Sequence, residues 1–308
     1  MGGFQTVSFI RQELARRGLR PSTGLGQHFL IDGNLLHLMV EAAGVGEGDL
    51  VLEVGAGTGS LTQLLARRAG HVVAVELDAR LLDMAQRALA RCDNVTVWQG
   101  DVLANKHTLA PELVRLVEEH LKGYADRRLK VVSDLPYKVA TPVVVNLWES
   151  GLPVELMLVT VQRELAERLV ARPGTKAYGA LTVKVAVWAE AEVLRILPPT
   201  VFWPRPAVDS AFVRLCRRSE PLLSAAAYPG FAALVDGLFR HRRKTVKRAL
   251  AVSAREPGLA QVAQDTQAAD QVGARRVDQL ALGDFISLAQ RLQPRQTPRR
   301  LSKQRKCL

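Results

Sequence analysis

Cysteine is scarce in this chain of 308 residues. The three present, Cys92, Cys216 and Cys307, are too scattered to match any metal or disulfide spacing. A reducing, cytoplasmic compartment is the corresponding expectation. The six histidines contain no HExxH pair or other paired-ligand spacing, so no metal site is expected. No apolar run reaches the roughly 18 residues needed to span a bilayer, and no membrane partner is expected. The opening stretch MGGFQTVSFIRQELARRGLRP lacks the uninterrupted apolar core of a secretory signal.

Acid is missing from two short stretches, and there the charge becomes informative. The formal net charge is +12. Arg240 to Arg248 carries six basic residues, Arg240, Arg242, Arg243, Lys244, Lys247 and Arg248, and Arg295 to Lys306 carries six more. The other thirty basic residues balance the thirty acidic ones, so a neutral body bears two concentrated basic segments. That distribution points to a polyanion such as nucleic acid. A solvated helix face and an unstructured tail are the plainer alternative.

The first half alternates strand and helix patterns. DLVLEVGAG, HVVAVELD, NVTVWQGDV, LKVVSDLP and VELMLVTVQ read as strands, the first entering a glycine-rich turn, and SLTQLLARRA and ARLLDMAQRALARC as the helices between the first three. Such spacing predicts βαβ units, a mainly parallel sheet and a Rossmann-like α/β fold. AYGALTVKVAVWAEAEVLRILPP and DSAFVRLCRR read as further strands, forming an antiparallel edge. From about Ser219 only helical spacing remains. The expected division is a cofactor-binding domain over 1–218, a small helical domain over 219–292, and a basic tail over 293–308 without structure.

Three strand ends carry chemistry. EVGAGTG places Gly55, Gly57 and Gly59 directly after the first strand, where glycine permits a tight turn and close ligand approach. The turn departs from GxGxxG, since Ser60 follows Gly59. Glu76 ends the second strand about twenty residues on, suited to accepting from ribose hydroxyls. These two features fit a dinucleotide or S-adenosylmethionine. Asp101, in QGDV after the third strand, can accept from an adenine amino group, and that addition favours S-adenosylmethionine. Capping of a following helix is the alternative for Asp101.

The fourth strand ends in Asp134-Leu135-Pro136-Tyr137. An exocyclic adenine nitrogen is a poor nucleophile because its lone pair is delocalised into the ring. A side-chain oxygen of Asp134 and a carbonyl near Leu135 or Pro136 can accept its two hydrogens and free the lone pair. Pro136 stiffens the backbone, and Tyr137 offers a face for an unstacked base. Alone, the four residues would read as a turn beside a core tyrosine. At the ligand-binding rim of an α/β sheet they read as a site.

With GQHFLID, LEVGAGTGSLT, VVAVELD, QGDVL, DLPYKVATP, KAYGALTV, FWPRPAVDSAFVRL and RRKTVKRAL in order from about Gly24 to Leu250, the chain resembles the rRNA adenine N6,N6-dimethyltransferases, most of all the bacterial small-subunit enzymes. The resemblance implies S-adenosylmethionine as methyl donor. It implies a substrate of two adjacent adenosines in a 3′-terminal hairpin loop of 16S rRNA, within the small ribosomal subunit or its precursor. His28, Leu30, Gly55, Gly57, Glu76, Asp101, Val102 and Asp134 are implied to bind the donor, with the segment around Gln27 closing over its methionine end. Asp134 to Tyr137 are implied to hold the target amine, and Phe202 to stack on the base's other face. The six basic residues of 240–248 are expected on one helix tracking phosphates, and the protein is expected to act as a monomer. Two positions depart from the family, which has asparagine where this chain has Asp134 and commonly where it has His28. Other readings are a large-subunit rRNA adenine methyltransferase of the antibiotic-resistance kind and a non-catalytic assembly factor. A NAD-dependent enzyme lies further off.

Overall fold

The structure is a computed structural model and describes residues 7–22, 24, 26–122, 128–253 and 272–292. The described chain falls into two compact units divided between Leu222 and Leu223.

The first unit opens with α1 (Val7–Arg16), β1 (Phe29–Leu30) and α2 (Gly33–Ala42). Strand and helix then alternate through β2 (Asp49–Val54), α3 (Ser60–Ala66), β3 (His71–Glu76), α4 (Ala79–Ala88) and β4 (Val95–Gln99). A hairpin, β5 (Leu103–Asn105) with β6 (Thr108–Leu109), leads to α5 (Pro111–Lys122). Next come β7 (Arg128–Asp134), α6 (Ala140–Glu149), β8 (Val154–Gln162), α7 (Arg163–Leu169) and α8 (Ala180–Ala186). The unit closes with β9 (Ala189–Leu197), β10 (Phe202–Trp203) and β11 (Ser210–Arg217).

Seven strands form one sheet in the order β4-β3-β2-β7-β8-β11-β9. The pairs from β4 to β8 are parallel, and β11 and β9 add the antiparallel edge. β2 is buried along its whole length because helices cover both sheet faces. Leu50 and Leu52 pack into one core with Leu113 and Val117 of α5 and Val143 and Leu147 of α6. Val51 points the other way, into a core with Leu35 and Met39 of α2 and Leu61 and Leu65 of α3. This is a doubly wound, Rossmann-like sheet, as the strand–helix alternation predicts. The order reverses at β2, so the ends of β2 and β7 open a crevice where such sheets bind ligands.

Two sequence expectations are corrected. The stretch read as strand from Ala177 breaks into α8 followed by β9. Gly179 starts the helix, Thr182 Oγ accepts the Gly179 amide at 3.2 Å, and Leu181, Val183 and Val185 are buried. Tertiary packing has overridden the β-branched composition. The basic stretch Arg240–Arg248 is not one helix either. In the second unit, α9 (Tyr228–Phe239) ends before it and α10 (Val246–Ser253) begins inside it. Between them the backbone bonds to a later segment: the Val246 amide to Arg275 O, the Val277 amide to Lys244 O and the Asp278 amide to Arg242 O. These long-range bonds take groups a continuous helix would have paired internally. The second unit also contains α11 (Leu282–Leu292), and its core joins Phe231, Leu238, Val246, Leu250 and Phe285. The tail over 293–308 lies outside the described residues. Among the described residues no helix is long and apolar enough to cross a membrane.

Candidate active site

The ends of β2, β3, β4 and β7 meet the segment before β1 around one cavity. Its walls include His28, Gly55, Gly57, Glu76, Asp101, Val102 and the whole of Asp134–Tyr137. Two residues expected at the site do not line it. Leu30 is buried, with only its backbone amide turned to the site, and Phe202 is 3 % exposed. Phe202 pairs with Leu30 in the short β1–β10 ribbon and packs among Leu30, Leu197 and Phe212. Its ring is packed in this core and not on the cavity wall.

The glycine turn is shaped by both conformation and space. Gly55 has φ +85° and Gly57 φ +57°, where a side chain is strained. A Cβ on Gly55 would stand 3.2 Å from the Pro136 ring, and one on Gly57 would stand 3.2 Å from the Phe29 ring. The glycines therefore allow the cofactor turn to lie against both Pro136 and the segment around Phe29.

Glu76 faces this turn from the end of β3. Its Oε2 accepts the Gly57 amide and its Oε1 the Asp78 amide, each at 2.8 Å. Burial raises its pKa, and the two amides oppose the rise. Asp78 caps α4 and binds Arg80 through both carboxylate oxygens, at 2.8 and 2.6 Å. Those contacts with Arg80 hold its pKa down at about 2, despite some burial. Asp78 also accepts from Gln27 Nε2 at 3.2 Å, while Gln27 Oε1 accepts the Ser22 amide at 2.7 Å. Gln27 thus ties the segment before β1 to the start of α4. Asp101 is exposed at the cavity rim, where its Oδ1 accepts the Leu103 amide in a two-residue turn and caps no helix. The glycine cradle and the acids at two successive strand ends suit a nucleoside with a small charged appendage, which fits S-adenosylmethionine.

Asp134 lies opposite. Its Oδ2 accepts the Leu30 amide at 3.3 Å. Burial raises its pKa to about 7, with the Leu30 amide and the Thr160 hydroxyl acting against the rise. The Pro136 carbonyl is taken by the Val139 amide at 3.0 Å. Among the described residues the Leu135 carbonyl accepts no such bond, so Leu135 supplies the free backbone acceptor beside Asp134. Tyr137 Oη hydrogen-bonds Ser210 Oγ at 2.5 Å, and burial moves its pKa up to about 12, so it stays a neutral phenol.

Sequence reasoning missed Glu53, which is 1 % exposed beneath the glycine turn. Burial raises its pKa to about 8, and the nearby Glu76 and Asp134 push the same way. The shift favours the neutral acid, and its Oε2 has no hydrogen-bond partner among the described residues. An acid amid DLVLEV, an otherwise apolar strand after its first residue, is the signal that marks it. Ser210 and Pro204 were missed as well, because their partners lie far away in sequence.

The basic residues of 240–248 sit in the second unit. Arg240, Arg243, Lys244, Lys247 and Arg248 are exposed, whereas Arg242 is half-buried and stands 3.8 Å from Asp278.

Comparison with known proteins agrees with this geometry. A family model described as "Ribosomal RNA adenine dimethylase" matches residues 19–293. A protein of Geobacillus thermodenitrificans named Ribosomal RNA small subunit methyltransferase A is 40 % identical over 292 residues, 94 % of this chain and 97 % of that one. One of the same name from Enterococcus faecalis is 38 % identical over 290 residues, 94 % of this chain and 96 % of that one. Among solved structures, a dimethyladenosine transferase from Plasmodium falciparum shares the fold, with TM-score 0.68 and 21 % identity over 83 % of this chain and 94 % of that one. The 23S rRNA methyltransferase ErmE gives TM-score 0.62 and 26 % identity over 86 % of this chain and 99 % of that one.

Proposed function

The chain belongs to the ribosomal RNA adenine dimethylase family, and on that premise we propose that it methylates N6 of two adjacent adenosines in a 3′-terminal hairpin loop of 16S rRNA during small-subunit maturation. The observation that carries the reading is the placement of Asp134 and the free Leu135 carbonyl on the wall of the cavity that also holds Glu76 and the glycine turn. S-adenosylmethionine, when bound, supplies an electrophilic methyl group on a sulfonium. Gly55, Gly57, Glu76, Asp101 and Val102 would hold it.

The remaining work is positioning, which suits a displacement with a good leaving group. Unstacked loop bases enter a pocket at little cost, and Tyr137 offers one its face. Asp134 and the Leu135 carbonyl accept the two N6 hydrogens and turn the nitrogen lone pair into the cavity. As positive charge develops on N6, the Asp134 carboxylate stabilises it. The methylated N6 cation is acidic and can release its proton to water, so no strong general base is needed. An aspartate therefore replaces the family's asparagine with the acceptor retained. The unit from Leu223 onward docks on RNA phosphate through the exposed Arg243, Lys244, Lys247 and Arg248. The protein acts as a cytoplasmic monomer.

Labelled S-adenosylmethionine incubated with unmethylated small subunits is expected to label two adjacent loop adenines. Label confined to large-subunit RNA would establish the large-subunit reading instead. Binding to subunit precursors without methyl transfer would establish a non-catalytic factor.

A further inference from the structure

The β1–β10 ribbon that edges the cavity also edges a second hollow. Phe29 of β1 lines the cavity, and its register partner Trp203 of β10 lines a groove of about 440 Å³ against α1. The two rings lie 6.5 Å apart, centroid to centroid, with their planes 24° apart. The groove's other walls are Arg11, Leu14 and Ala15 of α1 and residues 18–21 after it, Arg20 among them. Its floor is firm. Ile10 and Leu14 are buried with Leu81 and Met84 of α4, and Leu19, Phe29 and Trp203 pack on them. Its charge is unbalanced. The acids on the same two helices are already committed, Glu13 to Arg16 and Arg17, and Asp83 to Arg17 and Arg87. Arg11 and Arg20 are exposed and have no acidic partner among the described residues. The Arg11 guanidinium instead lies over the Trp203 ring, 5.2 Å from its centroid.

We propose that the groove between α1 and Trp203 is a second RNA subsite, holding a nucleotide of the same strand that adjoins the one in the cavity. The proposal rests on the functional reading above and deepens it. An arginine laid on an aromatic ring, with a second uncommitted cation in an apolar-walled groove, suits a ligand that has a flat face and a negative charge. A nucleotide of single-stranded RNA has both. Its base stacks on Arg11, which Trp203 backs, and its phosphate meets Arg20. The groove is open as it stands, so no side chain has to move. One pair of rings separates the two hollows, so one strand can occupy both. Lys138, exposed on the cavity wall, adds a further cation for the strand between them. The subsite lies wholly within the first unit, apart from the basic residues after Leu223.

The test is the affinity of the full chain for a fluorophore-labelled single-stranded RNA heptanucleotide with two central adenosines, read by anisotropy. The KM for unmethylated small subunits is measured alongside. Arg11→Ala and Trp203→Leu are each expected to weaken the oligonucleotide by about tenfold, the effect of losing one base stack. Both remove the same layered stack, so the double variant should be little worse than either single one. Arg20→Gln should lower the salt slope of oligonucleotide affinity by about 0.7, the share of one single-strand phosphate. The subunit KM should rise in all of them, while the Kd for S-adenosylmethionine stays unchanged in the two arginine variants. Arg11 and Arg20 are exposed, so their variants decide the matter even where the Trp203 variant fails to fold. A parent protein that does not bind the oligonucleotide, equal affinity in parent and Arg11→Ala, or losses that add in the double variant overturns the subsite. A heptaglutamate peptide that displaces the oligonucleotide as well as unlabelled RNA does would mark a plain anion patch and overturn it too. Small subunits left unmethylated by the parent protein would overturn the functional reading instead, and the oligonucleotide then still reports on the groove.

Discussion

The two halves of the cavity are built differently. On the cofactor side, Glu76 is held by the amides of Gly57 and Asp78, and Asp101 by the amide of Leu103. These partners lie two to nineteen residues away, within one or two βα units. On the side proposed for the base, Asp134 takes its amide from Leu30 and Tyr137 is held by Ser210, across 104 and 73 residues. The half proposed for the cofactor is thus a local property of the strand-end turns, whereas the half proposed for the base exists only once distant segments have folded together. The halves meet where Gly55 packs on Pro136 and Gly57 on Phe29.

If the base half works through placed acceptors, its largest response will come from Asp134. Asp134→Ala is expected to lower kcat for small-subunit methylation by about 10²-fold or more, in the range seen when a group placed for developing charge is removed. Asp134→Asn keeps an acceptor and should stay within about tenfold. Full activity in the Ala variant would reduce Asp134 to a turn residue. The same group sets a pH dependence. Its raised pKa keeps it protonated below about 7 and leaves the charge-stabilising carboxylate only above that. The rate should therefore rise with pH and level off beyond about 7, and the Asn variant should lack the rise. A bound sulfonium favours the carboxylate and moves the midpoint downward. A parent rate that falls as pH rises towards 7 would contradict this assignment.

The cofactor half should respond separately. Glu76→Ala is expected to raise the KM for S-adenosylmethionine by about tenfold or more, the loss of charge-assisted hydrogen bonds. The subunit KM, measured at saturating cofactor, should change little. Equal changes in both would mean the halves are not separable. Gly55→Ala strikes the seam: positive φ and a 3.2 Å approach to Pro136 should together cost about 1–3 kcal/mol of stability, checked by thermal unfolding. Unlike Glu76→Ala, it should worsen both KM values. An unshifted melting temperature would show that the turn can relax away from Pro136.

The smallest effect belongs to the exposed arginines and lysines of the second unit. Neutralising Arg243 and Lys244 should reduce the salt slope of subunit affinity by about one unit for each phosphate no longer neutralised. An unchanged slope would remove this surface from the docking face. Arg242 contributes less to such a test because Asp278 already lies beside it.

What was legible in the sequence follows the same division. The order of strands and helices, the glycine turn and the acids Glu76 and Asp101 could be read because each depends on neighbours within a βα unit. The helix at Ala180–Ala186 could not, since its β-branched residues prefer strand locally and only packing holds them helical. The break in the basic stretch was equally hidden, because backbone groups of 242–246 find their partners at 275–278.

By itself the sequence determined the doubly wound sheet and the residue types that stand at each strand end. Periodicity and residue type suffice for interactions of short range. Only the tertiary structure decided which side chains share the cavity wall, because that depends on space left between segments far apart in the chain. It buried Phe202 in the core, tied His28 to Pro204, and lifted the pKa of Asp134 by taking it out of water.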